Sequence, residues 1–359
     1  MPGRKRDKSF SLPTISQVAA EAQVSAATVS RAFSHPELLN RKTVELVRSV
    51  AKRLGYVPNH AARALSTGRA GNIALIVPDI TNPFFAALMR GGQAAARERG
   101  YATFIGDSDE TPELEDMLLT KLSAQVEGFI IASSRLRGSR ITELTHRRPC
   151  VLVNRDIPNL PRLLVDSGPS YSQAVEHLAS LGHRSIAYIA GPSFSWSDRQ
   201  RYGAVTKTAA ALGIKIVRVP TSRPSFEAGQ ACVDELLRTQ ASAALAFDDV
   251  MAQGIMAGLG ARGLSVPHDL SIVGCDGILA PTLYPPLTSI ETHCAQAGKQ
   301  AVEILLAALE GGNLPSRRIS LATELVVRAT TAPPPDGLSA SAPGKSRRPG
   351  HIRTATTLE

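Results

Sequence analysis

The feature that most constrains this chain is an alternation of short apolar runs with amphipathic segments, which starts at Asn72 and continues to about residue 330. The amphipathic segments include residues 84–99, 171–181 and 226–238 and have the period of helices. The apolar runs predict strands at residues 73–77, 102–105, 128–132, 151–153, 186–190, 214–219, 243–247 and 270–273. Continuous apolar strands with intervening helices indicate parallel sheets that are covered on both faces. These units exceed one compact sheet, so we expect two doubly wound α/β subdomains with a small-ligand cleft at the carboxyl ends of their strands.

Residues 14–54 carry a purely helical pattern instead. The stretch TISQVAAEAQVSAATVSR predicts two short helices with a break at residues 23–25, where the Ser25 hydroxyl can cap the second helix. A third amphipathic segment, residues 41–54, ends at Gly55. The pattern predicts an all-α domain of three helices, and a helix-turn-helix places its second helix in the DNA major groove. On pattern alone, an ordinary helical hairpin stays open as the alternative.

Charge separates the same two regions. The net charge is +9, and residues 1–70 hold 12 Lys and Arg against 4 Asp and Glu, whereas residues 71–332 hold 24 against 25. A basic module on a near-neutral body indicates that one end contacts a polyanion such as nucleic acid. A solvated basic arm explains the charge equally well.

Several classes of protein are excluded by composition and spacing. No uncharged apolar run is long enough to span a bilayer, and residues 1–12 lack the apolar stretch of a secretory signal, so we expect no membrane partner and a cytoplasmic location. The four cysteines lie far apart, in neither a disulfide framework nor a zinc spacing. We therefore expect reduced cysteines, no metal and no cofactor.

Two features hint at enzymes without supporting them. Residues 258–263 match GxGxxG, but they follow a helical segment instead of a strand, so the phosphate cradle of that motif is missing. Asp248 and Asp249 are adjacent carboxylates without an accompanying nucleophile elbow or metal spacing. We expect the protein not to be an enzyme.

Five segments carry a family resemblance. They are TISQVAAEAQVSAATVSRAFS, RLGYVPNHAARALSTG, NIALIVPDITNPFF, VEHLASLGHRSIAYIAGP, and VPHDLSIVGCDG followed by YPPLTSI. In this order they resemble the lactose-repressor/galactose-repressor (LacI/GalR) family of bacterial transcription regulators, over about residues 14–331. The resemblance implies a helix-turn-helix DNA-binding domain and a periplasmic-binding-protein-like α/β core. Gln23 departs from the pattern, because the family usually has Gly in this turn, where an unusual backbone angle is needed.

The resemblance also implies a domain plan. It comprises a basic disordered arm (1–13), a helix-turn-helix domain (14–58), a hinge helix and linker (59–71), an effector-binding and dimerisation core (72–332) and a disordered tail (333–359). Within the core, one subdomain is expected to contain residues 72–164 and 292–323, and the other residues 165–291 and 324–332.

The DNA-contacting residues that the resemblance implies are Thr14, Ser25, Ala26, Ala27, Thr28, Ser30, Arg31, Asn59, Ala62 and Leu65. Ala26, Ala27 and Arg31 correspond to positions that read bases. The alanines offer only apolar contacts, for example to a thymine methyl group, whereas Arg31 can make a bidentate contact to guanine. In the hinge, Leu65 corresponds to a wedge that enters the minor groove and unstacks a central base step.

The effector-binding residues that it implies are Phe84, Asn154, Arg201, Asp248 and Asp276. A planar guanidinium with carboxylates opposite suits a polyhydroxylated ligand, because each hydroxyl can both donate and accept. Pro224 falls where many relatives place an aromatic ring against the sugar, so the sequence favours no particular sugar.

Together these features predict a DNA-binding regulator, expected to repress, that binds a palindromic double-stranded operator as a homodimer. A small-molecule effector, a sugar or related metabolite, is expected to control it. The alternative is a periplasmic-type solute-binding protein without DNA binding. A protein of that class would be exported and would lack the N-terminal helical domain.

Overall fold

We describe the protein from a computed structural model, which places residues 13–57, 71–221, 223–311 and 316–335. The predictions for the basic arm before Pro13, for hinge residues Asn59, Ala62 and Leu65, and for the tail beyond residue 335 lie outside the described residues. Helices and strands are numbered below along the chain.

The N-terminal domain consists of α1 (Ile15–Glu21), α2 (Ala26–Ser34) and α3 (Arg41–Leu54). Short apolar side chains, among them Val18, Val29 and Val47, form its core. Gly55 ends α3 in the left-handed conformation, with φ +69°, which glycine adopts without steric cost. The three-helix prediction is confirmed.

The first core subdomain is built on one parallel sheet. Its strands are β1 (Asn72–Val77), β2 (Ala102–Asp107), β3 (Gly128–Ala132), β4 (Cys150–Val153), β5 (Arg162–Asp166) and β11 (Arg318–Ala322), in the order β11-β5-β4-β3-β1-β2. Its helices are α4 (Pro83–Glu98), α5 (Pro112–Leu122), α6 (Gly138–Thr145) and α12 (Cys294–Leu309). Within β1, Ile73 and Leu75 pack into the core on one face, and Ala74 and Ile76 pack on the other. Burial on both faces is why the strand is apolar throughout.

The second core subdomain repeats this plan. Its strands are β6 (Ser185–Ile189), β7 (Lys215–Val219), β8 (Ala243–Ala246), β9 (Ser271–Asp276), β10 (Thr288–Glu291) and β12 (Glu324–Val326), in the order β12-β10-β9-β8-β6-β7. Only β12 is antiparallel to its neighbour among these strands. Its helices are α7 (Gly168–Ser180), α8 (Trp196–Leu212), α9 (Phe226–Ala231), α10 (Val233–Arg238) and α11 (Asp249–Gly260).

Glycine permits close helix packing in both subdomains. A Cβ atom on Gly91 of α4 would lie 1.9 Å from the Ala295 carbonyl oxygen of α12. A Cβ atom on Gly254 of α11 would lie 2.0 Å from the Phe226 carbonyl oxygen of α9. Any side chain at either position would therefore force the helices apart.

The two parallel α/β subdomains agree with the sequence-based expectation, with local differences. β5, β10, β11 and β12 were not predicted. β11 is exposed on alternate residues, so it has no continuous apolar run. The segment predicted as one helix at 226–238 is interrupted at Cys232. The expected boundary after residue 164 falls inside β5, which pairs with β11 as far as Asp166, so the crossing lies after that residue.

The four cysteines are buried and free. Residues 258–263 contain the C-terminal end of α11, in agreement with the sequence-based interpretation of this GxGxxG match. Within the described ranges, every helix is too short or too polar to cross a lipid bilayer.

Candidate functional sites

The exposed face of α2 is the candidate DNA-reading surface. Ala26, Ala27 and Arg31 are exposed there, whereas Val29 and Ala32 on the opposite face are buried in the three-helix core. No carboxylate of the described residues pairs with the Arg31 guanidinium, which leaves all its donors available for a ligand. The structure thus presents the predicted reading residues on one accessible surface.

Ser25 fixes where this helix begins. Its Oγ accepts a hydrogen bond of 3.0 Å from the backbone N–H of Thr28, as the sequence predicted, and lies 2.9 Å from the Thr28 hydroxyl. Ser30 is half-buried, and its carbonyl oxygen accepts from the Ser34 hydroxyl. Ser25 and Thr28 are therefore positioned by each other at the helix N-terminus, where phosphates bind well.

The turn before α2 has the strained angle that the sequence suggested. Gln23 has φ +54°, although it is not a glycine. The next N–H, of Val24, donates to the Ala19 carbonyl oxygen at 3.0 Å and closes the turn. Because the Gln23 side chain is exposed, the left-handed conformation causes no clash with the core.

Thr14 begins the first helix. Its hydroxyl accepts from the Gln17 backbone N–H at 3.4 Å, and the Gln17 side-chain oxygen accepts from the Thr14 N–H at 2.7 Å. This capping box fixes the angle at which α1 starts. Thr14 is exposed and so can also contact an external group.

A cleft between the two core subdomains brings together all five candidate effector residues. It encloses about 400 Å³ of empty volume, including its open mouth. Its lining residues are Asn82, Phe84, Phe85, Glu110, Ser133, Arg135, Asn154, Ser195, Ser197, Arg201, Pro224, Phe247, Asp248 and Asp276. The cleft lies where strands of both parallel sheets end, which is where ligands bind in such folds.

Arg201 of α8 is the central cation of the cleft. Its Nε donates to the Ser167 hydroxyl at 2.9 Å, and its Nη1 donates to the Phe247 carbonyl oxygen at 2.6 Å. The guanidinium carbon also lies 4.7 Å from the centre of the Phe247 ring. These contacts hold the group rigidly, and its Nη2 remains 4.0 Å from Oδ1 of Asp276, close enough for attraction but too far for a hydrogen bond.

Carboxylates form the facing part of the cleft. Burial raises the pKa of Asp276 well above its usual value, although the Arg201 guanidinium acts in the opposite direction. Burial also raises the pKa of Asp248, which caps α11 by accepting the Met251 N–H at 2.8 Å. Asp276 has φ +111°, a backbone angle that side chains rarely adopt. Such strain is common at ligand sites.

Asp249 follows Asp248 in the chain, but its carboxylate contacts different groups. Its Oδ1 accepts from the Ser289 hydroxyl at 2.6 Å, and its Oδ2 is buried without a hydrogen-bond partner. Burial, together with the charge of the neighbouring Asp248, raises the pKa of Asp249 to about 7. The divergent directions of the two aspartates agree with the interpretation that they are not a catalytic pair.

Asn154 and Phe84 complete the predicted set. Asn154 has φ +53°, and its side-chain oxygen accepts from the Val165 N–H at 2.9 Å, which leaves the amide group of the side chain to serve a ligand. The Phe84 ring packs edge-on against Phe85, with 5.1 Å between ring centres. Both aromatic rings line the cleft and offer apolar contact.

Sequence reasoning missed several polar residues of the cleft. Asn82 caps α4 and donates through Nδ2 to Oδ2 of Asp248 at 3.0 Å, which joins the two subdomains. Glu110 and Arg135 form a nearly buried bidentate ion pair, with N···O distances of 2.5 and 2.9 Å. The Asn-Pro pair at 82–83 was a helix-start signal that could have indicated Asn82. The Glu110–Arg135 pair joins residues 25 positions apart and left no signal in the sequence.

The arrangement suits a neutral or polar organic ligand. Two arginines, three carboxylates and several hydroxyl groups line the cleft beside three phenylalanines. Across the described part of the chain, no group of His, Cys, Asp and Glu has the arrangement of a metal site.

A helix-turn-helix domain followed by two parallel α/β subdomains around a ligand-sized cleft defines a DNA-binding transcription regulator. The model of bacterial regulatory proteins of the lacI family matches residues 14–59, and the model of the periplasmic binding protein-like domain matches residues 175–331. The HTH-type transcriptional repressor CytR of Escherichia coli (strain K12) is 32% identical over 339 residues, which cover 91% of this chain and 98% of CytR. The chain belongs to the lacI family of bacterial regulatory proteins.

Solved structures agree with this assignment. The lac repressor dimer bound to operator and the anti-inducer ONPF matches with a TM-score of 0.80 and 26% identity, over 90% of this chain and 100% of that chain. A LacI family transcriptional regulator from Enterococcus faecium with bound ribose matches with a TM-score of 0.67 and 28% identity, over 73% of this chain and 99% of that chain.

Proposed function

We propose that the protein is a cytoplasmic repressor that binds a palindromic operator as a homodimer. Its affinity for the operator is proposed to fall or rise when a sugar-like effector binds in the cleft. The observation that carries the proposal is the cleft itself, in which Arg201, Asp248 and Asp276 converge from one subdomain and Asn154 and Phe84 from the other. A ligand held by both walls binds one cleft geometry better than another.

The N-terminal three-helix domain supports the proposal that the protein binds DNA. The exposed face of α2 offers two methyl groups, from Ala26 and Ala27, and one guanidinium, from Arg31. Such a surface can contact a thymine methyl group and the acceptors of guanine. Ser25, Thr28 and Ser30 are proposed to contact phosphates, with Thr14 at the start of α1. The resemblance adds Asn59, Ala62 and the wedge Leu65 in the minor groove.

An exposed sheet edge supports the homodimer. β2 lies at the edge of the first sheet, and its Phe104 and Ile105 are 37% and 38% exposed. The edge strand β7 of the second sheet instead exposes the charged residues Lys215 and Arg218. Charged edges resist pairing with other chains, whereas an apolar edge favours it. A second copy of the chain is the proposed occupant of the β2 edge.

Coupling between cleft and DNA is proposed to be a shift between two arrangements of the core. Asn82 bonds to Asp248 across the cleft, and Arg223 of the second subdomain lies 2.7 Å from Asp109 of the first, so these contacts break if the cleft opens. An effector shifts this equilibrium only through its different affinities for the two states. Moving a population from 1:99 to 99:1 requires about 5.5 kcal/mol of that difference.

The test is selection of binding sites from random duplex DNA with the purified full-length protein. We expect enrichment of one motif with two inverted half-sites. A solute-binding protein without DNA binding predicts no enrichment, and an enriched motif with a single half-site would contradict the homodimer.

Replacement of Phe104 with Glu tests the dimer separately. Sedimentation should show a shift toward monomer, because a charge would be buried at the proposed interface. Replacement of Lys215 with Glu on the β7 edge is the matched control, because Lys215 is exposed and has no ion pair among the described residues, and it should leave the oligomeric state unchanged.

A further inference from the structure

Three segments of the chain cross between the two core subdomains. The first crossing runs from β5 into α7 at Ser167, the second from β10 into α12, and the third from β11 into β12 at Thr323. β5 and β11 pair as far as Asp166 and Ala322, so the first and third crossings lie side by side. Rotation of one subdomain against the other must change backbone angles at such ends of helices and strands.

Hydroxyl groups join the first and third crossings. Oγ1 of Thr323 lies 2.7 Å from the Ser170 hydroxyl of α7 and donates to the Asp166 carbonyl oxygen at 3.3 Å. The Ser320 hydroxyl of β11 donates to Oδ2 of Asp166 at 3.3 Å. Asp166 belongs to the sheet of the first subdomain, and Ser170 belongs to a helix of the second. The Thr323 hydroxyl therefore bonds to both subdomains at once.

Gln200 of α8 adds another bond at the same junction. Its Nε2 donates to Oδ1 of Asp166, and its Oε1 is buried without a hydrogen-bond partner among the described residues. Gly168, at the start of α7, leaves room for this amide, because a Cβ atom there would lie 2.5 Å from Nε2 of Gln200. The Gln200 amide thus packs against the start of α7 and bonds to a strand of the first subdomain.

The next residue of α8 is Arg201, the central cation of the cleft. Its Nε donates to the hydroxyl of Ser167, which is fully buried at the first crossing. Its Nη2 faces Asp276, whose carbonyl oxygen accepts from the Thr292 hydroxyl of the second crossing at 3.3 Å. A ligand that displaces the Arg201 guanidinium therefore acts directly on groups that are bonded to the crossings.

We call the five residues that carry these bonds at the first and third crossings the crossing cluster; they are Asp166, Ser167, Ser170, Gln200 and Thr323. We propose that the crossing cluster couples occupancy of the cleft to the relative orientation of the two subdomains, with Ser167 as a positioning residue for Arg201. Its bonds stabilise the arrangement in which Asn82 and Asp248 bridge the cleft.

Loss of a bond in the crossing cluster has a consequence even without a ligand. The equilibrium between two arrangements follows their difference in free energy, so removal of a bond that exists in one of them favours the other. Variants of the crossing cluster should therefore populate an open cleft more than the unmodified protein does. This inference rests on the proposed shift between two arrangements of the core.

Thr323→Val is the test variant, and Thr208→Val is its matched control. Val has nearly the shape of Thr but lacks the hydroxyl group. Both threonines are half-buried, and each contacts a serine hydroxyl of α7, that of Ser170 at 2.7 Å for Thr323 and that of Ser172 at 2.9 Å for Thr208. The Thr208 bond joins two helices of the second subdomain, whereas the Thr323 bond lies at a crossing.

The measurement is the distance between two spin labels on the full-length protein, attached at Glu113→Cys and Phe194→Cys and recorded by double electron–electron resonance. Glu113 lies on α5 of the first subdomain and Phe194 precedes α8 of the second, and both are exposed at the rim of one surface cavity. Their separation therefore reports the opening of the cleft. The four native cysteines are buried, and dilution with unlabelled chains confines each measured distance to one chain.

We expect Thr323→Val to raise the fraction of chains at the longer separation by about threefold or more, an effect of the size expected for one lost hydrogen bond. Thr208→Val should leave the distribution unchanged. Gly168→Ala should act like Thr323→Val, because its methyl group displaces the Gln200 amide from Asp166 and removes no polar group. Unchanged distributions in Thr323→Val and Gly168→Ala, or the same shift in Thr208→Val, would overturn the proposal.

Urea unfolding separates coupling from a general loss of stability. Thr323→Val and Thr208→Val should lose similar stability, because each loses one half-buried hydroxyl group, so only the distances distinguish them. The distance measurement uses neither DNA nor effector, and its failure would overturn the crossing cluster alone. Loss of sequence-selective DNA binding by the unmodified protein would instead overturn the proposed function.

Discussion

Asn82 and Asp248 form a hydrogen bond of 3.0 Å across the effector cleft, and each of them also caps a helix of its own subdomain. Asn82 accepts from the Phe84 N–H at the start of α4, and Asp248 accepts from the Met251 N–H at the start of α11. The bond therefore ties together two helix N-termini. Opening the cleft would break this bond.

Asn82→Ala should destabilise the core by about 2 kcal/mol or more, because it removes a helix cap and leaves a buried acceptor unpaired. Asn82→Ser should lose less stability than Asn82→Ala, because Ser can still cap the helix. Ser is too short to reach Asp248, so the bond across the cleft is lost in both variants. Urea unfolding followed by Trp196 fluorescence measures both variants. An Asn82→Ser variant as stable as the unmodified protein would show that the bond across the cleft contributes nothing, whereas equal losses in the two variants would show that the cap contributes nothing.

Arg31→Ala should abolish most of the discrimination between operator and random DNA, because the reading face of α2 holds no other charged side chain. A bidentate contact of Arg with guanine contributes about 1–3 kcal/mol of discrimination. Gel-shift titrations with a selected operator and a scrambled duplex measure the ratio of the affinities for the two DNAs. Arg48→Ala, on the exposed surface of α3, is the control and should retain the ratio; an unchanged ratio in Arg31→Ala would contradict the assignment.

Arg201→Ala should keep operator binding but lose the response to the effector. The core should also become less stable, because the Ser167 hydroxyl loses its donor and the Phe247 carbonyl oxygen keeps only the longer hydrogen bond from the Tyr171 hydroxyl, at 3.3 Å. Operator titrations with and without effector measure the response. Arg218→Ala removes a partly exposed arginine of the same subdomain that pairs with Asp198, and it should respond normally. A normal response in Arg201→Ala would show that the cleft is misassigned.

The stability of the core should depend on pH through Asp249. Because the pKa of Asp249 is raised from 3.8 to about 7 in the folded protein, the folded state binds more protons than the unfolded state between these values. Its contribution is therefore complete below about pH 4 and is lost as the pH rises to about 7, by an amount on the order of a few kcal/mol.

The measurement is urea unfolding at pH 5 and pH 8 for the unmodified protein and for Asp249→Asn. The unmodified protein should lose more stability between the two pH values than the variant does. The comparison with the variant is needed because burial lowers the pKa of His177 and His183, which act in the opposite direction. Identical pH dependence in both proteins would refute the role of Asp249.

The sequence predicted most of the elements that are buried on two faces. β1 and β3 carry unbroken apolar runs because both faces of each sheet are covered, and such runs are visible without a structure. β11 and β12 were missed because they are short, half-exposed edge strands. Their pairing depends on residues that are more than 150 positions away for β11, which no local pattern records.

Some residues of the candidate sites could be predicted from the sequence, and others could not. Ser25 was predictable as a helix cap from its local chemistry, and the resemblance pointed to Arg201 and Asp276 in recurring motifs. The Asn82–Asp248 bond and the Glu110–Arg135 pair were not predictable, because each depends on how separate parts of the chain fold together. The positive φ of Asn154 and Asp276 is equally a product of the tertiary structure.

We propose above that occupancy of the cleft changes how tightly the helix-turn-helix domain binds DNA. The most direct measurement is fluorescence anisotropy of a labelled, selected operator titrated with the full-length protein, with and without a panel of sugars and sugar phosphates at moderate ionic strength. We expect the protein to bind the operator more tightly than a scrambled duplex, and at least one ligand to change the operator affinity by about tenfold or more. An operator affinity that no ligand of the panel alters, or equal binding to operator and scrambled duplex, would contradict it.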